Sequence, residues 1–208
     1  MCVALNRKIA TTTYRFNLTQ GDTPIYLFYK VLKEDGSPFW GGEKNWPLPG
    51  NNTPGGWLEE TGDLEETSNG LHLCTLALLP FWIGPAIFLV ETEGEILNND
   101  LTKPVARKAR IICQISDWNH NTLEDFTNKC FLHVYEQVCQ TRKNKIDHRI
   151  KPILDAKLFQ HVPREIAEYA DSYEAESQWQ RELVYEYIKI DEYLDNQALN
   201  TDSLKLVG

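Results

Sequence analysis

Most of the usual marks of chemistry are missing. The chain has no Walker-type phosphate loop, no GxGxxG turn, no GxSxG elbow, no HExxH helix and no EF-hand loop, so none of those enzyme or ion-binding classes is signalled. Its five cysteines, Cys2, Cys74, Cys113, Cys130 and Cys139, are widely scattered. They form no CxxC pair and no cluster at zinc spacing, and their odd number does not suggest a disulfide framework. Cys74, Cys113 and Cys130 lie among apolar residues, where a free thiol behaves as a small hydrophobe, and a reducing, cytoplasmic setting is expected. Basic charge is also short: 21 Lys and Arg stand against 30 Asp and Glu, a net charge of −9. That balance argues against general binding to nucleic acid backbones, which needs a basic footprint. The N-terminal "MCVALNRKIATTTYRFN" has no apolar run long enough for a signal peptide.

The longest absence is local. From Thr67 to Val90 there is no Asp, Glu, Lys or Arg, a run long enough in principle to span a bilayer as a helix of about twenty residues. Pro80, Gly84 and Pro85 interrupt it, and its flanks "DLEETSN" and "ETEGE" are acidic where a cytoplasmic edge is normally basic. The run also divides. "LHLCTLALLPFW" reads as a short strand or turn entering a short helix, and "AIFLVETEGEI" as a buried strand ending in a turn at Glu93-Gly94. A strand covered on both faces is expected to be continuously apolar. The reading is the core of a soluble domain, not a membrane segment.

With 42% hydrophobic and 25% charged residues, the rest of the chain resembles an ordinary globular protein. "IYLFYKVL", Ile25 to Leu32, reads as a central strand. The following stretch, rich in Gly, Pro and Asn, carries Trp40, Trp46 and Trp57. Three indoles are too apolar for a free linker, so an ordered loop that covers the core or lines a cleft is expected. "VARKARIICQI" alternates, placing Val105, Arg107, Ala109, Ile111 and Cys113 on one face and Lys108, Arg110 and Gln114 on the other. It should pair with Ala86–Glu91 as an antiparallel hairpin. From Asn119 the spacing turns helical: Leu123, Phe126, Cys130, Val134 and Val138 form one stripe, with Ser116 or Asp117 as cap. The stretch 141–162 is less regular, with a short helix after Pro152. Pro163 then suits the first turn of one long helix, with Ile166, Tyr169, Ala170 and Tyr173 as one apolar set and Leu183, Tyr187, Ile190 and Leu194 as another. The tail after that reads as frayed. The fold class is α+β: a compact, mainly antiparallel (split) sheet domain over 1–118, then a helical region over 119–208.

Charge is segregated along the helical half. Arg142 to Arg164 holds seven basic residues against Asp147 and Asp155, whereas from Glu165 onward eleven acids face Arg181, Lys189 and Lys205. Solvated helix faces or a docking surface would both give this pattern. Candidate chemistry is sparse. His72 and Cys74 share a strand face, which permits a Cys-His pair without activating it, and a lone His in an apolar strand is more often a core residue. Cys130 and His133 are three apart on one helix and could share a metal, but no further ligand is in view. Glu91, Glu93 and Glu95 alternate in phase at the end of a buried strand, as at the rim of a cleft.

Two resemblances follow from quoted residues. "LFYKVL…GG…W.LP…GGW…NGLHLC…IFLVETEGE…KPVARKARII", about Ile25 to Ile115, resembles an uncharacterised bacterial and phage domain family. The following "WNHNTLEDFTNKCFLHVYEQV" is similar to a helical segment found after that domain and to some immunity proteins of toxin systems, which implies action by binding a protein partner. "GLHLC…AIFLVETEGEILNNDLTK" is similar in layout to the rifampin-modifying ADP-ribosyltransferases. That implies a split-sheet fold binding NAD, with Tyr29, His72 and Glu91 around the cleft, although Tyr29-Lys30-Val31 stands where that family has its His-Gly-Thr. The leading expectation is therefore a non-enzymatic interaction or immunity-type protein of a bacterial or mobile-element system. Trp40, Trp46, Trp57, Arg107 and Arg110 would meet its partner, with no metal and no cofactor. An NAD-using transferase is the alternative.

Overall fold

The computed structural model describes residues 15–16, 25–50, 53–97 and 103–189. The tail beyond residue 189, with Ile190 and Leu194 of the second apolar set, lies outside the described residues, as do Cys2 and most of the turn before Lys103.

The architecture is α+β with an antiparallel sheet and helices mostly C-terminal. Six strands, β1 (Arg15–Phe16), β2 (Ile25–Leu32), β3 (Leu58–Glu59), β4 (Leu71–His72), β5 (Ala86–Leu97) and β6 (Val105–Gln114), form one sheet. Its order is β1-β2-β5-β6-β3, with β4 also on β6. The expected pairing of 86–91 with the "VARKARIICQI" strand is present, with Leu89 opposite Cys113 and Glu91 opposite Arg110. β5 takes the middle place and β2 lies beside it. Residues 71–74 tie the two sides together: Leu71 and His72 pair with β6, while Cys74 exchanges both backbone hydrogen bonds with Tyr29 on β2 at 2.8 Å. The sheet therefore curls until its flanks meet at this short segment.

Two details of these strands differ from the sequence reading. β5 does not stop at Glu93-Gly94 but runs on to Leu97. Gly94 takes φ +80° within a register shift between Glu93 and Ile96, so the glycine makes a bulge that lets pairing continue. A second shift opposite Leu89/Val90 leaves Ile112 as the extra residue of β6. Strict alternation over 105–113 is broken there: Ala109 and Ile111 face one core while Cys113 packs on the other. A bulge inverts the facing of every residue beyond it.

Those two cores lie on opposite faces of the sheet. The smaller joins Phe28, Leu32, Phe88, Val90, Leu71 and Leu73 inside the curl and is covered by Trp46. The larger joins Tyr29, Val31, Ile87 and Leu89 to the helices. The uncharged run supplies both cores and no long helix. It passes through β4, a 3-10 turn (Leu76–Leu78), the short helix α1 (Leu79–Trp82) that opens on Pro80, and the apolar half of β5. Among the described residues no helix is long and apolar enough to cross a membrane.

The helices are α2 (His120–Gln137), α3 (Gln140–Arg149), α4 (Lys151–Asp155), α5 (Val162–Ala167) and α6 (Tyr173–Ile188). The stripe Leu123, Phe126, Cys130, Val134 and Val138 is buried as expected. The cap of α2 is Asn119, not Ser116 or Asp117: its Oδ1 accepts from the backbone N–H of Asn121 and Thr122. The stretch read as less regular with one short helix after Pro152 holds two helices over 140–155, because Ile146 and Ile150, one turn apart, are fully buried and anchor α3. The single long helix after Pro163 is two helices. Ser172 accepts from the N–H of Ala175 and starts α6 afresh, and Asp171 pairs with Arg142. Trp118, fully buried, donates from Nε1 to the carbonyl of Gly84 at 2.8 Å and packs on Phe126. One hydrophobic cluster thus spans the sheet and the helical region.

Candidate functional site

The Trp loop is ordered around three different jobs. Trp46 is buried over the smaller core, with the Lys30 ammonium 5.0 Å from its ring centre. Trp57 lies under Lys108 and Arg110, 4.9 and 4.5 Å from the ring centre. Trp40 reaches across to α1, where Nε1 donates to the carbonyls of Trp82 at 2.8 Å and Ile83 at 3.0 Å. These carbonyls end a short helix and lack intrahelical donors, so the indole fills a place that water would otherwise take.

Trp40 then forms one wall of a cleft of about 370 Å³, opened by Phe81 and Trp82 on one side and by residues 149 and 160–169 on the other. Its rings are set edge to face: Trp40 to Trp82 at 5.7 Å and Trp40 to His161 at 5.3 Å between centres, a favourable quadrupole arrangement. Lys103 stands 3.2 Å from the centre of the Trp82 ring. At the helical rim Arg149 is paired with Glu165 at 2.9 Å. Arg164 and Glu168, one turn apart and both exposed, make no ion pair among the described residues. The walls are therefore aromatic and the rim carries one unspent charge of each sign. The volume suits one large side chain or a small ligand.

The other sequence candidates are placed elsewhere. Arg107 bonds Glu95 and the carbonyls of Glu60 and Gly62, Lys108 pairs with Glu93 at 2.8 Å, and Arg110 pairs with Glu91. Glu91, Glu93 and Glu95 thus form a cross-strand ladder with the basic residues of β6, and none of them lines the cleft. Cross-strand pairs of this kind hold register. Tyr29 is buried in the larger core. His72 has Nε2 2.9 Å from the carbonyl of Glu66. Of Tyr29, His72 and Glu91, none lines the cleft. His133 is not beside a metal set: its Nδ1 is 2.7 Å from Glu176 Oε2 and its ring stacks on Trp179 at 3.8 Å, while no group of three metal-type ligands occurs among the described residues. Burial pushes the Cys130 thiol well up. The basic stretch 142–164 meets the acidic segment after it, through Arg142–Asp171 and Arg149–Glu165.

Sequence reasoning singled out Trp40 but passed over Phe81, Trp82, Arg164 and Glu168. Their only local signals are Pro80 and Pro163, each at the first turn of a short helix that forms a wall. A second neighbourhood was also missed. Lys30 donates to the carbonyl of His72 at 2.7 Å and, with Lys103, lies near the buried Cys74. Desolvation lowers Lys30 from 10.5 to about 8; it lowers Lys103 as well and raises Cys74. No family model, curated protein or solved structure matches the chain.

Proposed function

We propose that this is a non-enzymatic binding protein whose recognition site is the cleft between the Trp40 loop, α1 and the helical segment 160–169. The occupant is a segment of a partner protein that presents a large apolar side chain flanked by one acidic and one basic residue. The observation that carries the reading is the rim. Among the described residues Arg164 and Glu168 make no ion pair and stand beside Trp40 and Trp82, whereas the basic residues of β6 and their glutamates are spent on one another. Aromatic pockets with an adjoining Arg dominate binding energy at protein interfaces, and rim charge sets orientation. The resemblance of 118–138 to immunity proteins agrees in kind, because such proteins act by binding; a bacterial or mobile-element role belongs to this proposal.

The test is affinity capture on the immobilised full chain, with Trp82→Ala, Arg164→Glu and Trp57→Ala beside the wild type and circular dichroism on each. The expected result is a saturable partner held by wild type and Trp57→Ala. It should be weakened at least tenfold by Trp82→Ala, about 1.4 kcal/mol, and also by the surface variant Arg164→Glu. Capture indifferent to both cleft variants would overturn the assignment. So would a saturable rise in melting temperature with NAD that is lost in His72→Ala and Glu91→Ala, which would favour a transferase instead.

A further inference from the structure

The loop between β3 and β4 is held by its main-chain oxygens. The consecutive carbonyls of Glu60, Thr61, Gly62 and Asp63 accept hydrogen bonds from two side chains in alternation. Arg107 of β6 serves Glu60 and Gly62. The amide of Asn69 serves Thr61 at 3.0 Å and Asp63 at 2.7 Å, so both of its side-chain N–H bonds are in use. The backbone of Asn69 closes the same loop, because its carbonyl accepts from the N–H of Glu65 at 2.8 Å. Leu64, within the loop, is buried.

Asn69 precedes Gly70, and this is the one Asn-Gly step in the sequence. The glycine is required by the fold. It takes φ +134°, and a Cβ there would lie 2.1 Å from Cγ1 of Val105 and 3.1 Å from Cδ2 of Leu64. Asparagine is among the chemically labile residues, and a following glycine, with no side chain, leaves its own nitrogen least hindered for attack on the asparagine amide. Packing against Val105 therefore keeps a reactive dipeptide in the loop. Ring closure needs the Asn69 side chain to turn, and its two amide hydrogen bonds hold it in place.

We propose that Asn69-Gly70 is a self-modifying latch: the asparagine deamidates when the 60–70 loop opens, and the loop then cannot close as before. In the open loop the Gly70 nitrogen loses its proton to solvent and attacks Cγ of Asn69. The bond from Cγ to Nδ2 breaks, and ammonia leaves after taking up a proton. Water opens the resulting succinimide at either carbonyl, giving aspartate or isoaspartate. No oxidant or reductant takes part. The product carboxylate only accepts hydrogen bonds, so it sets acceptors against the Thr61 and Asp63 carbonyls where two donors stood. Local openings of this kind precede global unfolding, and the modified fraction records how often the loop has opened. None of these residues lines the cleft, so the latch does not depend on what the cleft binds.

The experiment keeps the native full chain and the chain unfolded in guanidinium chloride side by side at neutral pH. Peptides containing residue 69 are followed by mass spectrometry, with isoaspartate separated by chromatography. Asn69 is expected to convert at least tenfold faster in the unfolded chain, and ahead of the exposed Asn144, which precedes a lysine. Arg107→Gln, which frees the Glu60 and Gly62 carbonyls without touching residue 69, should raise the native rate severalfold. Asn69→Asp should speed hydrogen exchange at the Glu65 N–H at least tenfold while the amides of β5 keep their protection. Equal conversion in native and unfolded chains, or none in either, would overturn the proposal. An unchanged native rate in Arg107→Gln would overturn the gating, and unchanged exchange at Glu65 in Asn69→Asp would overturn the latch.

Discussion

At the scale of single residues, Lys30 carries a desolvation cost in the sheet. Its ammonium is stripped of water and given one carbonyl and one indole face in return. The sign of the effect on stability follows from proton binding. Between pH 8 and 10.5 the unfolded chain holds a proton on this lysine that the folded chain has released, so stability rises with pH across that window. Below pH 8 the folded state carries a constant penalty of up to about 3 kcal/mol. Lys30→Met, which keeps the stem and removes the charge, should therefore raise stability at pH 7 by a large part of that amount. The wild-type-minus-variant difference should shrink as pH climbs from 8 to 10.5. Urea unfolding of both proteins at a series of pH values measures it; a difference that ignores pH would mean the amine is solvated. Lys30 stands two positions from both Phe28 and Leu32 on β2 and so shares their strand face. What the sequence could not show was that Trp46, sixteen positions on, would close over it.

At the scale of elements, α2 and α6 are joined by Asp125 and Lys129 against the Tyr187 hydroxyl at the surface and by one buried polar contact, His133–Glu176. Glu176 is 3% exposed in its side chain; one oxygen meets His133 and the other the amide of Gln180. Removing the imidazole leaves a buried carboxylate short of a partner. His133→Ala should cost about 2–3 kcal/mol, below the usual loss for a fully buried pair because His133 is itself a third exposed. Adding Glu176→Gln should restore most of that loss, since an amide needs no counter-charge, and a double-mutant cycle by chemical denaturation reads the coupling. The elements themselves were largely legible. Leu123, Phe126, Cys130 and Val134 repeat at helical spacing because they face one core, and β2 and the first half of β5 are apolar because both faces are covered, whereas Arg107, Lys108 and Arg110 of β6 meet the glutamates of β5. The errors have physical causes. A bulge at Gly94 looks like a turn because both call for a positive φ. The break at 168–172 was hidden because Ile166, Tyr169 and Ala170 do pack on one core, as a single helix would have them do. The cleft was illegible for another reason: its walls come from positions 40, 81–82, 149 and 160–169, joined only by folding.

At the scale of the molecule, the two regions read from the sequence share one core. Tyr29 and Leu89 of the sheet belong to the same cluster as Phe126, Ile166 and Val184 of the helices. Trp118, at the junction, is bonded back to Gly84. Such sharing predicts one cooperative transition: tryptophan fluorescence, far-ultraviolet circular dichroism and calorimetry should give coincident unfolding curves. A chain ending at residue 118 should show no sharp transition, because the face of the sheet that carries Ile87 and Leu89 would lie open. Two separated transitions in the full chain would instead mark residue 118 as a true domain boundary.

The tie between Tyr29 and residues 71–74 has a consequence for the order in which the protein can be made. The long partner of β2 is β5, and the partners of β3 and β4 lie on β6. A growing chain that has reached residue 85 holds β2, β3 and β4 with their long-range pairings still unmade. Only when residues 86–114 emerge can the strands be gathered, almost all at once, and only then can the 71–74 segment find both flanks. Synthesis up to residue 114 is therefore the period of greatest exposure to aggregation, and a ribosome pausing before that point would prolong it.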